Sequence, residues 1–305
     1  MLRLLPTICA LTLTAMTIAQ SHRGSSPKPP TVYLNHVYIV PDLDTYEAAR
    51  TDDFLRREFA PMESRTTVRR DKTYTGIYLY GQSTYFELLR PPEAGDPENR
   101  SGLAFGVERS GALHELRATL SSTAGANTQI LPITRQTDSS EVGWFQMLVT
   151  DAPLKASQLQ TWVMEYDADF LTKWYGQLPP AHPSINRAAV LERYTAKINQ
   201  SQMRTTGLMQ DISEVHLALE NEDADRFLKY CYALGYPVVP QGKRFSCSGP
   251  GFLLDVSRFD ASAPPSRPGV VAIEFRLRRK KDGEQSYRIG NSILQFKGTT
   301  AIWTF

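Results

Sequence analysis

The chain of 305 residues lacks the short motifs that mark several common classes of active site. It has no glycine-rich phosphate-binding loop, no HExxH pattern, no CxxC pair and no GxSxG turn. These absences remove the direct sequence support for a nucleotide-binding loop, a zinc peptidase, a dithiol redox centre or a serine hydrolase. The candidate functional residues come instead from the pattern of predicted strands and helices.

The chain also has little net charge. Its 34 basic and 32 acidic residues give a formal charge of +2. Such a balance gives no reason to expect nucleic acid or an anionic membrane as a partner. Apolar residues make up 41% of the sequence, which is enough for a folded core in one large domain or two ordinary domains. The sequence does not indicate an oligomeric state.

Cysteine is scarce, with three residues in the whole chain. Cys9 lies in the N-terminal apolar segment, which leaves Cys231 and Cys247 in the remainder. In an oxidising compartment this pair could form a disulfide, and the alternative is two small buried thiols. A metal site that uses both is not expected, because no second cysteine or histidine is suitably spaced nearby.

Long apolar runs are absent, and the N-terminal apolar segment is shorter than the roughly 20 residues that a membrane span needs. Residues 1–19 combine an early arginine, an apolar stretch and small residues up to Ala19, which is typical of a secretory signal peptide. The alternative is an uncleaved anchor. Residues 20–32 are rich in serine and proline and predict a flexible linker. We therefore expect a secreted or periplasmic protein with no membrane partner after cleavage.

The order of the predicted elements repeats along the chain. A strand, a helix and three strands are predicted from Leu34 to Pro91, and the same order begins again at Ile212. A looser copy follows Gly102, and the last copy has no clear helix. The sequence therefore predicts an α+β fold of repeated βαβββ units, with module 1 over residues 33–175, a proline-rich linker and helix over 176–210, and a degenerate module 2 over 211–305.

Three stretches resemble the glyoxalase, bleomycin-resistance and extradiol-dioxygenase superfamily, whose fold is called vicinal oxygen chelate. They are "LNHVYIVPDLD", "TYFELLRP" and "DADRFLKYCYALGYPV". Within the superfamily the chain is most similar to uncharacterised glyoxalase-like proteins. The resemblance implies an open cleft between paired units, with metal ligands on the first and fourth strands of each unit.

Carried over to this chain, the resemblance implies His36, Glu87 and Glu165 as ligands of a divalent Zn, Ni, Mn or Fe ion. Glu87 or Glu165 would then double as the catalytic base. The fourth ligand position falls on Gly102 or Leu103, and neither side chain can bind a metal. In module 2, His216 and Asp255 match ligand positions. The first strand of the last unit, "GVVAIEF", lacks the histidine that the family has there. The resemblance therefore implies an incomplete metal site in module 1, and it indicates that module 2 is a structural or ligand-shaping copy.

Strand alternation predicts which of these side chains share a face. It places Leu34 with His36 and Tyr38, and it places Tyr85 with Glu87. In the last strand of module 1 it groups Val163, Glu165 and Asp167. Four tyrosines are candidates to line a ligand-binding cleft, namely Tyr38, Tyr78, Tyr80 and Tyr85.

Three functions stay open at this point. The missing fourth ligand favours a metal-free protein that binds a small organic molecule in module 1. The alternatives are a metal-dependent lyase or isomerase acting on a small oxygenated substrate, and a structural or interaction module. Without a metal, desolvation would raise the pKa of Glu87 and let it act as a base. His36 could be a ligand, a base or a polar residue without chemistry.

Overall fold

The computed structural model describes eight segments of the chain. The predicted signal peptide over residues 1–19 and most of the predicted linker over residues 20–32 lie outside these segments, so both stay predictions. Within the described segments, no helix is long and apolar enough to cross a membrane. The described residues are 29–92, 101–124, 127–137, 140–150, 159–175, 186–202, 207–262 and 267–305.

The first half of the chain forms an eight-stranded sheet from two βαβββ units. Its strands are β1 Tyr33–Ile39, β2 Met62–Val68, β3 Thr73–Tyr80, β4 Tyr85–Leu89, β5 Ser101–Gly106, β6 Thr128–Gln136, β7 Glu141–Thr150 and β8 Leu159–Tyr166. They lie in the order β2-β3-β4-β1-β5-β8-β7-β6. β1 runs antiparallel to β5, and each of these first strands runs parallel to the fourth strand of its own unit.

The second half forms a sheet with the same arrangement. Its strands are β9 Met209–Leu219, β10 Val238–Gln241, β11 Arg244–Gly249, β12 Phe252–Arg258, β13 Gly269–Leu277, β14 Ser286–Ile289, β15 Ser292–Lys297 and β16 Thr300–Thr304. They lie in the order β10-β11-β12-β9-β13-β16-β15-β14. The two curled sheets confirm the predicted α+β fold of repeated units. The described residues between β13 and β14 contain no helix, so the last unit is degenerate as expected.

In the part of the chain that the structure describes, five α-helices accompany the sheets: α1 Leu43–Thr51, α2 Ala112–Ala124, α3 Ala168–Tyr175, α4 Arg187–Gln202 and α5 Asn221–Ala233. α1 begins where Asp42 accepts hydrogen bonds from the backbone N–H and the hydroxyl of Thr45, as an N-cap residue does. It ends before Asp52, whose backbone is extended. A short π-helical turn, Leu55–Phe59, follows, so the apolar spacing that predicts one continuous helix covers two separate elements.

One hydrophobic core joins the two sheets. It contains Phe59 and Phe86 from the first half and Phe275 and Trp303 from the second, together with residues of α1, α2 and α5. The two halves therefore pack through their helix-bearing faces, and their other faces point away from the shared core. We call this hydrophobic core between the two sheets the shared core.

A bulge at Asn35 changes the alternation of β1. The pairing with β5 shifts by one residue between Leu34 and His36. Leu34 and Val37 both pack in the shared core, whereas His36 and Tyr38 line a cavity on the other face. The expectation that Leu34 shares a face with His36 is therefore wrong, because the extra residue reverses the alternation at that point.

Hydrogen bonds also connect the halves. The carboxylate of Asp211, in β9, accepts hydrogen bonds from the backbone N–H groups of Ser83 (2.7 Å) and Thr84 (2.8 Å), which precede β4. The hydroxyl of Tyr236 donates to the carbonyl of Val32 over 3.1 Å. The bonds to Asp211 fix the start of β9 against the turn that precedes β4.

Cys231 in α5 and Cys247 in β11 are both buried, free thiols in the structure. The disulfide that the sequence left open is not formed. The two side chains are within hydrogen-bonding reach of each other, and burial raises the pKa of Cys231 well above its usual range. The pair therefore packs as part of the shared core.

Candidate ligand-binding cavity

A cavity of about 580 Å³ opens on the face of the first sheet that points away from the shared core. Aromatic side chains form part of its walls, and the turn between β2 and β3 and the residues after β4 add basic side chains. A volume of this size suits a small organic molecule. The aromatic residues are Tyr38, Tyr74, Tyr85, Trp144, Phe145 and Trp162, and the charged residues include Arg69, Asp71, Lys72 and Arg90.

His36 and Glu87 lie side by side in this cavity. Both residues are 6% exposed, and 3.9 Å separates His36 Nε2 from Glu87 Oε1. The parallel pairing of β1 with β4 brings them together, since it aligns His36 with Tyr85 and Tyr38 with Glu87. The ring of Tyr85 stacks on the imidazole at 4.4 Å between centroids, and Trp162 meets the imidazole edge-on at 5.6 Å.

The neighbours of His36 select one tautomer of its ring. Asn35 Oδ1 lies 2.9 Å from His36 Nδ1, and an amide oxygen can only accept, so Nδ1 carries the proton. The Asn35 side chain also bonds to Tyr166 in β8, which holds the amide in place. His36 Nε2 therefore keeps its lone pair and presents it towards Glu87.

Burial shifts the pKa values of the pair in opposite directions. Desolvation lowers the pKa of His36 to about 3, because the charged imidazolium loses its hydration. Desolvation raises the pKa of Glu87 to about 7, and Arg65, a hydrogen bond from Tyr85 and Lys72 oppose this rise only in part. Near neutral pH the imidazole is uncharged and the carboxyl group is close to half protonated.

Glu165 does not join this pair. Its carboxylate accepts hydrogen bonds from the backbone N–H groups of Gly111 (2.8 Å) and Leu113 (3.1 Å), at the start of α2. Val163, on the same face of β8, packs in the shared core. The grouping of His36, Glu87 and Glu165 as one metal site is therefore wrong in geometry, because Glu165 points to the helix-bearing side of the sheet.

The positions opposite β1 also lack metal ligands. Leu103 is in the shared core, and Gly102 lies against the ring of Tyr38, where an added Cβ would come within 2.2 Å of a ring carbon. Tyr38 donates a hydrogen bond to Gln160 over 2.8 Å. Trp162 occupies the cavity side of β8 beside His36. An aromatic ring thus fills the space where the resemblance implies a ligand.

The four tyrosines divide into two pairs. Tyr38 and Tyr85 line the cavity. Tyr78 and Tyr80 are instead covered by α4, with the Tyr80 and Tyr194 rings stacked at 5.4 Å. The expectation of four cleft-lining tyrosines is therefore met by two, because the helix of the linker fills the adjoining part of the sheet face.

Sequence reasoning missed Trp144, Gln160 and Trp162 as cavity residues. The alternation of β8 separates Trp162 from Glu165, but it does not indicate which of the two faces lines the cavity. Trp144 lies on β7, for which the sequence offered no pairing partner. Once Val163 is assigned to the core, the same alternation identifies Trp162 correctly.

Module 1 does not fit the metal centre that the resemblance implies. His36 and Glu87 offer two donor atoms, and among the described residues no third histidine, cysteine, aspartate or glutamate completes the group. Two protein ligands fall short of the three that catalytic zinc and iron sites usually have. Hydrogen bonding or proton transfer to a ligand in this cavity therefore depends on His36 and Glu87 themselves.

In module 2, His216 and Asp255 lie together, as the resemblance implies, with 3.2 Å between His216 Nδ1 and Asp255 Oδ2. Glu214 and Glu274 lie close to His216 on the face of the second sheet that points away from the shared core. Burial raises the pKa of Glu214, and its acidic neighbours Glu274 and Asp255 act in the same direction.

The paired units, the strand order and the cavity on the open face define two vicinal oxygen chelate-like modules. Residues 34–305 match a family of unknown function, DUF5829, and the chain belongs to that family. No curated protein sequence matches the chain significantly.

Many solved structures are similar to the chain, including the following three. A hypothetical protein from Staphylococcus aureus has 11% identity and a TM-score of 0.45, over 75% of this chain and 86% of that one. A fusion of a xylose isomerase-like TIM barrel with 4-hydroxyphenylpyruvate dioxygenase has 14% identity and a TM-score of 0.44, over 81% of this chain and 36% of that one. A variant of 4-hydroxymandelate synthase from Streptomyces coelicolor has 13% identity and a TM-score of 0.39, over 80% of this chain and 70% of that one.

Proposed function

We propose that this chain is an exported glyoxalase-like protein whose first module binds a small, flat organic molecule without a metal. The observation that carries the proposal is the buried His36–Glu87 pair in an aromatic cavity of about 580 Å³. Flat aromatic walls favour a flat ligand, because rings stack over a large apolar area. The uncharged imidazole and the partly protonated carboxyl group offer one acceptor and one donor for a polar group on the ligand.

The charged residues of the cavity favour a ligand with an acidic group. Arg69, Lys72 and Arg90 line the cavity, against two acidic residues, Asp71 and the partly protonated Glu87. Arg69 is engaged by Asp71 in two hydrogen bonds of 2.8 Å each. The remaining excess of positive charge would attract a carboxylate, so aromatic carboxylic acids and aromatic oxo acids are the first compounds to try.

The test is calorimetric titration of the purified protein with a panel of aromatic carboxylates, with and without a metal chelator. We expect binding that the chelator leaves unchanged and that His36→Gln and Glu87→Gln each weaken by roughly tenfold, the loss of about one good hydrogen bond. His114→Gln on the exposed side of α2 and Glu284→Gln in an exposed turn are the matched controls. Chelator-sensitive binding, or full affinity in both site variants, would contradict the proposal.

A second candidate is a metal-independent proton-transfer enzyme of the isomerase type. It is favoured by the pKa of about 7 for Glu87, which suits a group that accepts and returns a proton near neutral pH. A bound ligand with an acidic C–H bond would then exchange that hydrogen with solvent. Loss of the ligand's C–H signal by NMR in heavy water, absent with Glu87→Gln, would support this candidate, and equal exchange in the variant would exclude it.

A further inference from the structure

We infer that module 2 carries a divalent-cation site formed by Glu214, His216 and Glu274. One ligand atom from each side chain lies within 4.8 Å of the others. The inference is independent of the function proposed for module 1, because the two groups lie on different sheets. It also differs from the arrangement that the family resemblance implies, since all three side chains come from the first strands of the two units.

The pairing of β9 with β13 builds the group. Glu214 lies directly opposite Glu274, and His216 lies opposite Ala272, two residues further along on the same face. The register shifts on either side of these pairs, between Val270 and Ala272 and again after Glu274. The three side chains thus occupy a short regular stretch between two bulges, and bulges commonly re-aim side chains near functional sites.

The imidazole of His216 is oriented as a metal ligand would be. Asp255 Oδ2 lies 3.2 Å from Nδ1, and Arg244 donates a hydrogen bond to the same carboxylate oxygen. A carboxylate can only accept, so Nδ1 donates to Asp255. Nε2 is buried without a hydrogen-bond partner, 3.7 Å from Glu214 Oε1. Metal-binding histidines usually donate their other N–H to such a carboxylate.

The two glutamates lie directly opposite each other across the strand pair. Glu214 pairs with His216, and the charge of Arg244 also acts on the Glu214 carboxylate. Like charges directly opposite each other across an antiparallel pair destabilise a sheet. A bound cation would turn this repulsion into attraction to a common centre.

The donor set indicates the class of cation. One imidazole nitrogen and two carboxylate oxygens suit Zn²⁺, Mn²⁺ or Fe²⁺ better than Mg²⁺ or Ca²⁺, which prefer oxygen ligands alone. A cavity of about 1000 Å³ borders the group at His216 and is also lined by Arg244 and Asp255.

The test is titration of the tag-free, chelator-stripped protein with Zn²⁺ and with Mn²⁺, followed by calorimetry and by thermal unfolding. We expect one equivalent to bind the wild-type protein and to raise its midpoint of unfolding. Glu274→Gln and Glu214→Gln should lose this binding. Both should still fold, because each substitution removes a repulsion in the cation-free protein. Asp255→Asn should keep one equivalent at an affinity lowered roughly 10- to 100-fold, as a positioning residue would.

The double variant His36→Gln, Glu87→Gln is the control, and it should bind the cation as the wild type does. Three outcomes would overturn the inference: no saturable binding by the wild-type protein, unchanged binding in both module 2 glutamate variants, or loss of binding in the module 1 control. The last outcome would assign the cation to module 1 and would also contradict the metal-free proposal for that cavity.

Discussion

His36 and Glu87 titrate in opposite senses because both are held out of water. Glu87 has a raised pKa in the folded protein, so its contribution to stability is complete below pH 4.5 and is lost as the pH rises towards 7. His36 has a lowered pKa, so its contribution is complete above pH 6.5 and is lost as the pH falls towards 3. Between pH 4.5 and 6.5, the wild-type protein therefore loses stability through Glu87 and gains stability through His36 as the pH rises.

Replacing Glu87 by glutamine should therefore leave only the pH dependence of the unfolding free energy that His36 produces. From pH 4.5 to 7, the wild-type protein should lose about 3 kcal/mol of unfolding free energy relative to Glu87→Gln, at about 1.4 kcal/mol for each unit of pKa shift. Urea unfolding of both proteins at several pH values measures this difference. Parallel pH profiles would show that Glu87 has an ordinary pKa in the folded state.

Sequence reasoning located individual residues unevenly. His36 and Glu87 lie side by side as expected, because parallel pairing of a first and a fourth strand is a regular feature of the unit. The alternation of β8 correctly grouped Glu165 with Val163, but a period of two does not say which face meets the core. Glu165 was therefore placed in the wrong environment, although its neighbours on the strand were right.

At the scale of elements, Glu165 caps the start of α2 by accepting hydrogen bonds from the backbone N–H groups of Gly111 and Leu113. Glu165→Ala removes the acceptor of two backbone N–H groups, so we expect the free energy of unfolding to fall by about 1 kcal/mol. Ligand affinity in the module 1 cavity should not change, since the side chain is on the opposite face. Urea unfolding and calorimetric titration, with Glu284→Ala as the exposed control, measure both effects. A large loss of affinity would return Glu165 to the ligand site.

The order of the elements was largely predictable, and their mutual contacts were not. The repeated βαβββ order follows from local periodicity, which a single sequence displays directly. The bulge at Asn35 leaves no mark in the residue types around it. The helix α4 was expected, yet its packing on Tyr78 and Tyr80 joins residues more than 100 positions apart, which no local pattern encodes.

For the whole molecule, the shared core makes the two modules depend on each other. Trp303 is fully buried, donates to Ser292 over 2.8 Å, and meets Phe59 and Phe86 from the first half at 6.4 and 5.5 Å. Trp303→Ala should lower the free energy of unfolding by about 3–5 kcal/mol. Both modules should still unfold in one transition.

Calorimetric unfolding of this variant, beside Tyr232→Ala on the exposed surface of α5, tests that dependence. Tyr232 is 54% exposed, so its removal should change stability by about 0.5 kcal/mol or less. Two separate transitions, of which only the second module's shifts with Trp303→Ala, would show that the halves are independent folding units.

The distribution of tryptophan gives the protein a built-in optical reporter. Trp144 and Trp162 line the module 1 cavity, while Trp303 is sealed in the shared core. A ligand that displaces water from the cavity would change the emission of Trp144 and Trp162, whereas the emission of Trp303 would stay constant. Occupancy of module 1 could therefore be followed by intrinsic fluorescence without a label. A cation bound by Glu214, His216 and Glu274 would leave that emission unchanged, so the two events could be distinguished in one cuvette.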